Sequence, residues 1–140
     1  MMNLKRFIPA LLVVFAGIWL MDFLVHGVWL AGTYRDTFEL WRPEADMKAL
    51  MPWMLLGQFL VALAFTSIYA IWVADRCGWK GAMLYGAAMG LFSGGGQVIM
   101  YAVQPFPCLL VCQWFIAGMI QGAVLGLLLR MVYRPAVKAD

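Results

Sequence analysis

GAAMGLFSGGGQVIMYAVQPFPCLLVCQWFIAGMIQGAVLG, residues 86–126, decides how this chain folds. Two apolar runs flank QPFPC at 104–108, where two prolines fix backbone angles and enforce a tight turn. The second run must therefore return antiparallel to the first. Glycine recurs every fourth residue on both: Gly86, Gly90 and Gly94, then Gly118, Gly122 and Gly126. A doubled G-x-x-x-G leaves one helix face free of side chains and lets backbones approach. Folding the chain about Pro105–Pro107 sets Gly86 level with Gly126, Gly90 with Gly122 and Gly94 with Gly118. This predicts a glycine zipper between two consecutive helices. One stripe serving a homo-oligomer contact is the alternative, and the spacing leaves it open.

Outward from this hairpin the chain stays apolar. It has 140 residues, 65% hydrophobic and 12% charged, against a usual charged fraction of about 25%. A soluble domain of this size has no interior large enough for so much apolar surface. Four runs, residues 7–30, 50–73, 81–103 and 108–132, are each long enough to cross a hydrocarbon core of roughly 30 Å at 1.5 Å per residue. Lipid offers no partner to a bare backbone, so the spans should be helices. The expectation is a single all-α membrane domain over residues 1–140, a four-transmembrane-helix bundle with an outer loop at 31–49.

Lys5 and Arg6 before the first run resemble the start of a signal peptide. The run continues to Leu30 with no A-x-A pattern after it, so it is expected to remain as a transmembrane helix. The net charge of +3 does not point to nucleic acid, because the basic residues cluster at span ends. Lys5, Arg6, Arg76, Lys80, Arg130, Arg134 and Lys138 share one side of an alternating bundle, and Arg35, Arg42 and Lys48 the other, with Asp36, Glu39, Glu44 and Asp46. The positive-inside rule then places both termini in the cytoplasm. Trp72, Trp79, Tyr69 and Tyr133 should mark the inner interface, and Trp29, Tyr34, Trp53 and Tyr101 the outer one.

Polar residues inside apolar spans are candidates for function. GIWLMDFLVHGVWLAG, residues 17–32, carries Asp22 and the only histidine, His26, four apart on one expected helix face. An aspartate at bilayer depth costs about 2.5–3.5 kcal/mol on insertion scales, so it should face the bundle interior. Depth matching sets Asp22 level with Gln58, Gln58 with Gln97, and Gln97 with Gln113. This predicts a polar layer of Asp22, Gln58, Gln97 and Gln113, with His26 one turn further out. The layer reads either as a proton- or ion-handling site or as hydrogen-bonded glue that sets helix register, at about 0.6 kcal/mol per bond. The outer segment TYRDTFELWRPEADMK, residues 33–48, carries Phe38, Leu40 and Trp41 among charges. It reads as an amphipathic strip on the membrane surface, with a lid or docking strip as the sharper alternative.

Other chemistry is sparse. No P-loop, G-x-S-x-G, H-E-x-x-H or C-x-x-C-H pattern occurs. Cys77 is separated by a span from Cys108 and Cys112, which sit on adjacent turns of one run. His26, Cys108 and Cys112, with Met51, Met54 and Met100 near the same level, form a weak candidate for a soft metal such as Cu(I). No cofactor is expected.

MDFLVHGVWL (21–30), LWRPEADM (40–47), PWMLLGQFLVALAF (52–65) and IMYAVQPFP (99–107) resemble a group of small, uncharacterised bacterial inner-membrane proteins with four helices. The resemblance runs from about Met21 to Pro135. It implies a bacterial inner-membrane location and four spans, and it carries no activity. The leading expectation is a non-enzymatic accessory, assembly or interaction subunit of a membrane complex; the alternative is a small oligomeric transporter or proton- or ion-linked carrier working through Asp22 and His26. A metal-handling or redox membrane enzyme is the third. The expected partners are the lipid bilayer and a second copy or larger membrane complex, with no nucleic acid.

Overall fold

The computed structural model describes residues 3–133, and among the described residues every regular element is helical. Helix α1 spans Leu4–Trp29, α-helical over Leu4–Asp22 and π-helical over Phe23–Trp29. The long connection folds into α2 (Ala31–Asp36), a 3-10 turn (Phe38–Leu40) and α3 (Glu44–Ala49). Helix α4 spans Met51–Val73 and ends in a π-helical turn, Tyr69–Val73. Helices α5 (Trp79–Val103) and α6 (Cys108–Val132) form the glycine-bearing hairpin. Helices α1, α4 and α6 are long and apolar enough to cross a membrane, the mark of a membrane protein. Helix α5 is as long as α6, but six glycines with Ser93 and Gln97 dilute its apolar character. Arg134 and Lys138, counted in the charge asymmetry, lie outside the described residues.

Helix α1 packs against α4 and α6, and α5 packs along α6. The last pair is the most intimate. A methyl group at Gly86 would collide with the Gly122 carbonyl, one at Gly122 with the Gly86 carbonyl, and one at Gly126 with the Ala82 carbonyl. At Gly90 it would lie 2.5 Å from the Gly118 carbonyl oxygen. Gly86 thus sits opposite Gly122 and toward Gly126, not level with Gly126 alone. Equal distance from the turn ignores interlocking: each backbone seats between two glycines opposite, half a step off. Gly94 does not meet Gly118. A methyl group there would lie 2.7 Å from the Phe115 ring, because the helices have parted enough to admit an aromatic side chain.

The buried core lies toward the end of the bundle that holds Asn3 and Tyr133. Phe7, Ala10 and Val14 of α1 meet Phe65 and Tyr69 of α4, Ala82 of α5, and Leu125 and Leu129 of α6. Tyr69 and Tyr133, expected at an interface with water, are 0% and 2% exposed. Their rings, 6.3 Å apart edge to face, belong to an aromatic group that includes Tyr85. The Tyr133 hydroxyl accepts the Asn3 backbone N–H at 3.1 Å, so its polar tip is satisfied inside the bundle. Trp29, Trp53, Trp72 and Trp79 remain exposed. Beyond Phe65 and Leu125 the packing is interrupted, and it resumes at Leu30, Leu110 and Val111, which are buried again.

Candidate ligand-binding cavity

Asp22 is the last α-helical residue of α1, immediately before the π-helical segment. In that segment the Leu30 N–H reaches the Val25 carbonyl at 2.8 Å, an i→i+5 bond. Such local rewinding recurs at functional sites, and it offsets the i,i+4 stacking of an ordinary helix. Asp22 Oδ2 accepts Gln58 Nε2 from α4 at 2.7 Å. Asp22 Oδ1 accepts Gln121 Nε2 from α6 at 3.0 Å. A carboxylate only accepts, so each glutamine must turn its NH₂ toward it and its carbonyl oxygen away. Gln58 Oε1 is accordingly buried without a partner. Among the described residues no basic side chain forms a salt bridge with Asp22; Lys48 pairs with Glu44 at 2.7 Å, in exposed α3.

No hydrogen bond joins Asp22 to His26, although their spacing suggests contact. His26 Nδ1 is instead hydrogen-bonded to the Tyr34 hydroxyl from α2. That hydroxyl in turn accepts Trp114 Nε1–H from α6 at 2.7 Å. Burial pushes the Tyr34 phenol above its ordinary range, with the Trp114 N–H acting in the opposite direction. Around it the Tyr34 and Trp41 rings meet edge to face at 5.2 Å, Trp41 stacks on Phe106 at 5.4 Å, and Phe106 meets Trp114 at 5.2 Å. Trp41 Nε1 donates to Thr37 Oγ1 at 3.0 Å. The long connection therefore folds back on the bundle through Trp41, while Phe38 stays 69% exposed.

Between this aromatic cap and the buried core lies a cavity of about 600 Å³. Asp22, His26, Gln58, Gln97 and Gln121 contribute its polar wall; Met54, Val61, Phe65, Met89, Phe92 and Leu125 contribute apolar wall. Gly90, Gly118 and Gly122 line it with bare backbone. Its mouth lies between α4 and α5. The two backbones approach where α5 meets the Tyr69–Val73 turn, and Val61 and Phe92 on the rim are 58% and 82% exposed.

Of the four residues in the expected layer, Asp22 and Gln58 are bonded and Gln97 lines the same cavity. Gln97 makes no bond to Asp22, and its Oε1 is buried without a partner. Gln113 neither lines the cavity nor touches Asp22. The α6 partner is Gln121, two turns further along, which depth matching does not select. Helical face identifies it: Trp114, Gly118, Gln121 and Leu125 recur at helical spacing and all line the cavity. Cys108 and Cys112 are exposed free thiols. Among the described residues no three His, Cys, Asp or Glu side chains gather in a metal-sized group, so His26, Cys108 and Cys112 are not brought together as one.

Comparison of the chain with protein-family models, with curated proteins and with solved structures finds no match in any of the three. The chemistry of the cavity rests on its own residues.

Proposed function

We propose that this chain is a four-span protein of the bacterial inner membrane, both termini cytoplasmic, that binds a small ligand at Asp22 as a membrane carrier. The observation that carries the reading is a cavity of about 600 Å³ reaching a carboxylate that, among the described residues, no basic side chain pairs with. Its size falls within the roughly 300–1,000 Å³ of small-molecule sites. Ionisable groups within spans face bundle interiors or water-filled cavities and mark substrate or proton paths. A layer serving only as register-setting glue closes on itself; here the Oε1 atoms of Gln58, Gln97 and Gln113 have no partner. The fourth span is α5, whose 25 residues pack along α6. Kinship with the small four-helix inner-membrane group belongs to the same proposal.

One carboxylate, neutral amides and a phenol-bound imidazole offer recognition and proton exchange. Asp22 and His26 are the groups through which proton coupling would run, and a second copy would help enclose the path. An accessory subunit accounts for the small size and slight soluble parts, yet it assigns the cavity no role.

Solvent access decides between these readings. In a background with Cys77, Cys108 and Cys112 replaced by serine, Ser93→Cys places a thiol on the cavity wall. Ile99→Cys places one on an exposed apolar position outside it. In native membrane vesicles, a charged methanethiosulfonate reagent is expected to label the first and spare the second. No labelling at residue 93 would mean that the cavity is dry and the carrier reading wrong.

A further inference from the structure

We infer that the ligand of this cavity is an amphiphilic organic cation, an ammonium group on an apolar tail; the inference rests on the cavity being a binding site. The geometry at Asp22 comes first. Both carboxylate oxygens act as acceptors, one toward Gln58 and one toward Gln121. Amides bring dipoles but no charge, and each carboxylate oxygen keeps a further acceptor site. A charge removed from water is stable only when it is compensated, and among the described residues no basic side chain forms a salt bridge with Asp22.

Four kinds of occupant can then be compared. An anion would be repelled by Asp22. A neutral molecule would leave the carboxylate uncompensated. A bare divalent ion takes about six or more oxygen ligands, whereas one carboxylate is present and the free carbonyl oxygens of Gln58 and Gln97 are buried away from the open space. A proton satisfies the charge but leaves about 600 Å³ of mostly apolar space without purpose. An ammonium group satisfies the carboxylate with charge-assisted hydrogen bonds, which are about twice as strong as neutral ones. Its hydrocarbon covers Val61, Phe65, Met89 and Phe92.

The mouth agrees with this chemistry. It opens sideways between α4 and α5, past Val61 and Phe92, and its wall is exposed as well at His26 and Met54, toward α2 and α3. With both helices spanning, the sideways opening faces lipid, where an amphiphile already concentrates, and the other end faces water. The Trp114 ring in the cavity wall adds a surface that attracts cations.

The test uses three molecules with one hydrocarbon: 4-phenylbutylammonium, 4-phenylbutanol and 4-phenylbutanoate. Their affinities for the purified full chain in mild detergent are measured by calorimetric titration at neutral pH. The ammonium is expected to bind saturably, about tenfold or more tighter than the alcohol, with the carboxylate weaker still. It should also slow labelling of Ser93→Cys. Asp22→Asn should remove the preference for the ammonium over the alcohol. The three-way comparison on the unaltered protein stands even where that variant fails to fold. Equal binding of ammonium and alcohol, tighter binding of the carboxylate, or no saturable binding by any of the three overturns the cation assignment. Labelling at residue 93 decides separately whether the cavity is a site at all.

Discussion

The Tyr34 hydroxyl serves two neighbours at once, hydrogen-bonded to His26 Nδ1 and accepting the Trp114 N–H. Tyr34→Phe keeps the ring packing against Trp41 but strands both partners, at a cost of roughly 1–3 kcal/mol for polar groups left unpaired. Its dependence on pH has a definite sign. Burial raises the Tyr34 phenol, so the folded chain holds this proton more tightly than the unfolded one. The stabilisation is full below the ordinary phenol value of about 10 and is lost as pH rises through the raised one. The melting temperature of the unaltered protein in detergent should exceed that of Tyr34→Phe by a constant margin between about pH 7 and 9, and the margin should shrink above about pH 10. A margin that persists undiminished into strong alkali would show that the hydroxyl is not the cause. The residues of this site differ in how openly the sequence declares them. Asp22 and Gln58 are legible because each is a lone polar side chain deep in an apolar run. Gln121 is hidden because finding it requires helical face as well as depth, and depth alone points to Gln113. The bond between His26 and Tyr34 depends on how a long connection folds back, which no periodicity records.

Among the elements, α5 and α6 show the sharpest contrast between positions of the same residue type. Gly86 and Gly122 face opposing backbone at contact distance, whereas Gly95 and Gly96 face open space. Gly86→Ala and Gly122→Ala force two helices apart, and overpacking of this kind costs roughly 1–3 kcal/mol. Gly95→Ala and Gly96→Ala meet no obstacle, and their higher helix propensity adds up to about 1 kcal/mol of stability. Thermal melting of the four variants in one detergent should separate them into a destabilised pair and a neutral or stabilised pair. Equal losses in all four would show that the close approach of α5 to α6 is not what the glycines serve. This contact is legible because a four-residue repeat of glycine marks a helix face without any knowledge of register. Its register is not, because half a step of interlocking separates Gly86 opposite Gly122 from Gly86 level with Gly126. The π-helical segments at Phe23–Trp29 and Tyr69–Val73 carry no proline that announces rewinding. The first nevertheless follows Asp22 directly, and the second begins at Tyr69, which lies in the core.

For the molecule as a whole, a packed core at one end adjoins a cavity, and whether α5 spans the membrane determines what that cavity faces. Helices α1, α4 and α6 qualify as spans on length and apolar character alone. Helix α5 carries the glycines that let α6 approach and the Ser93 and Gln97 that line the cavity, so its low hydropathy reflects those two roles. Parity makes its position measurable. Four spans put both termini on one side, and three put them on opposite sides. The basic residues favour four, with seven of ten at the terminal ends of an alternating bundle. Green fluorescent protein fused after Asp140 should therefore fluoresce, and alkaline phosphatase fused there should be inactive. Phosphatase inserted after Glu39, in the connection between α1 and α4, should be active. The reverse pattern at Asp140, with an active phosphatase and a dark fluorescent protein, would leave α5 on the surface of the membrane. The mouth between α4 and α5 would then open to water rather than lipid, and the tail of any bound cation would lose its reason for entering there.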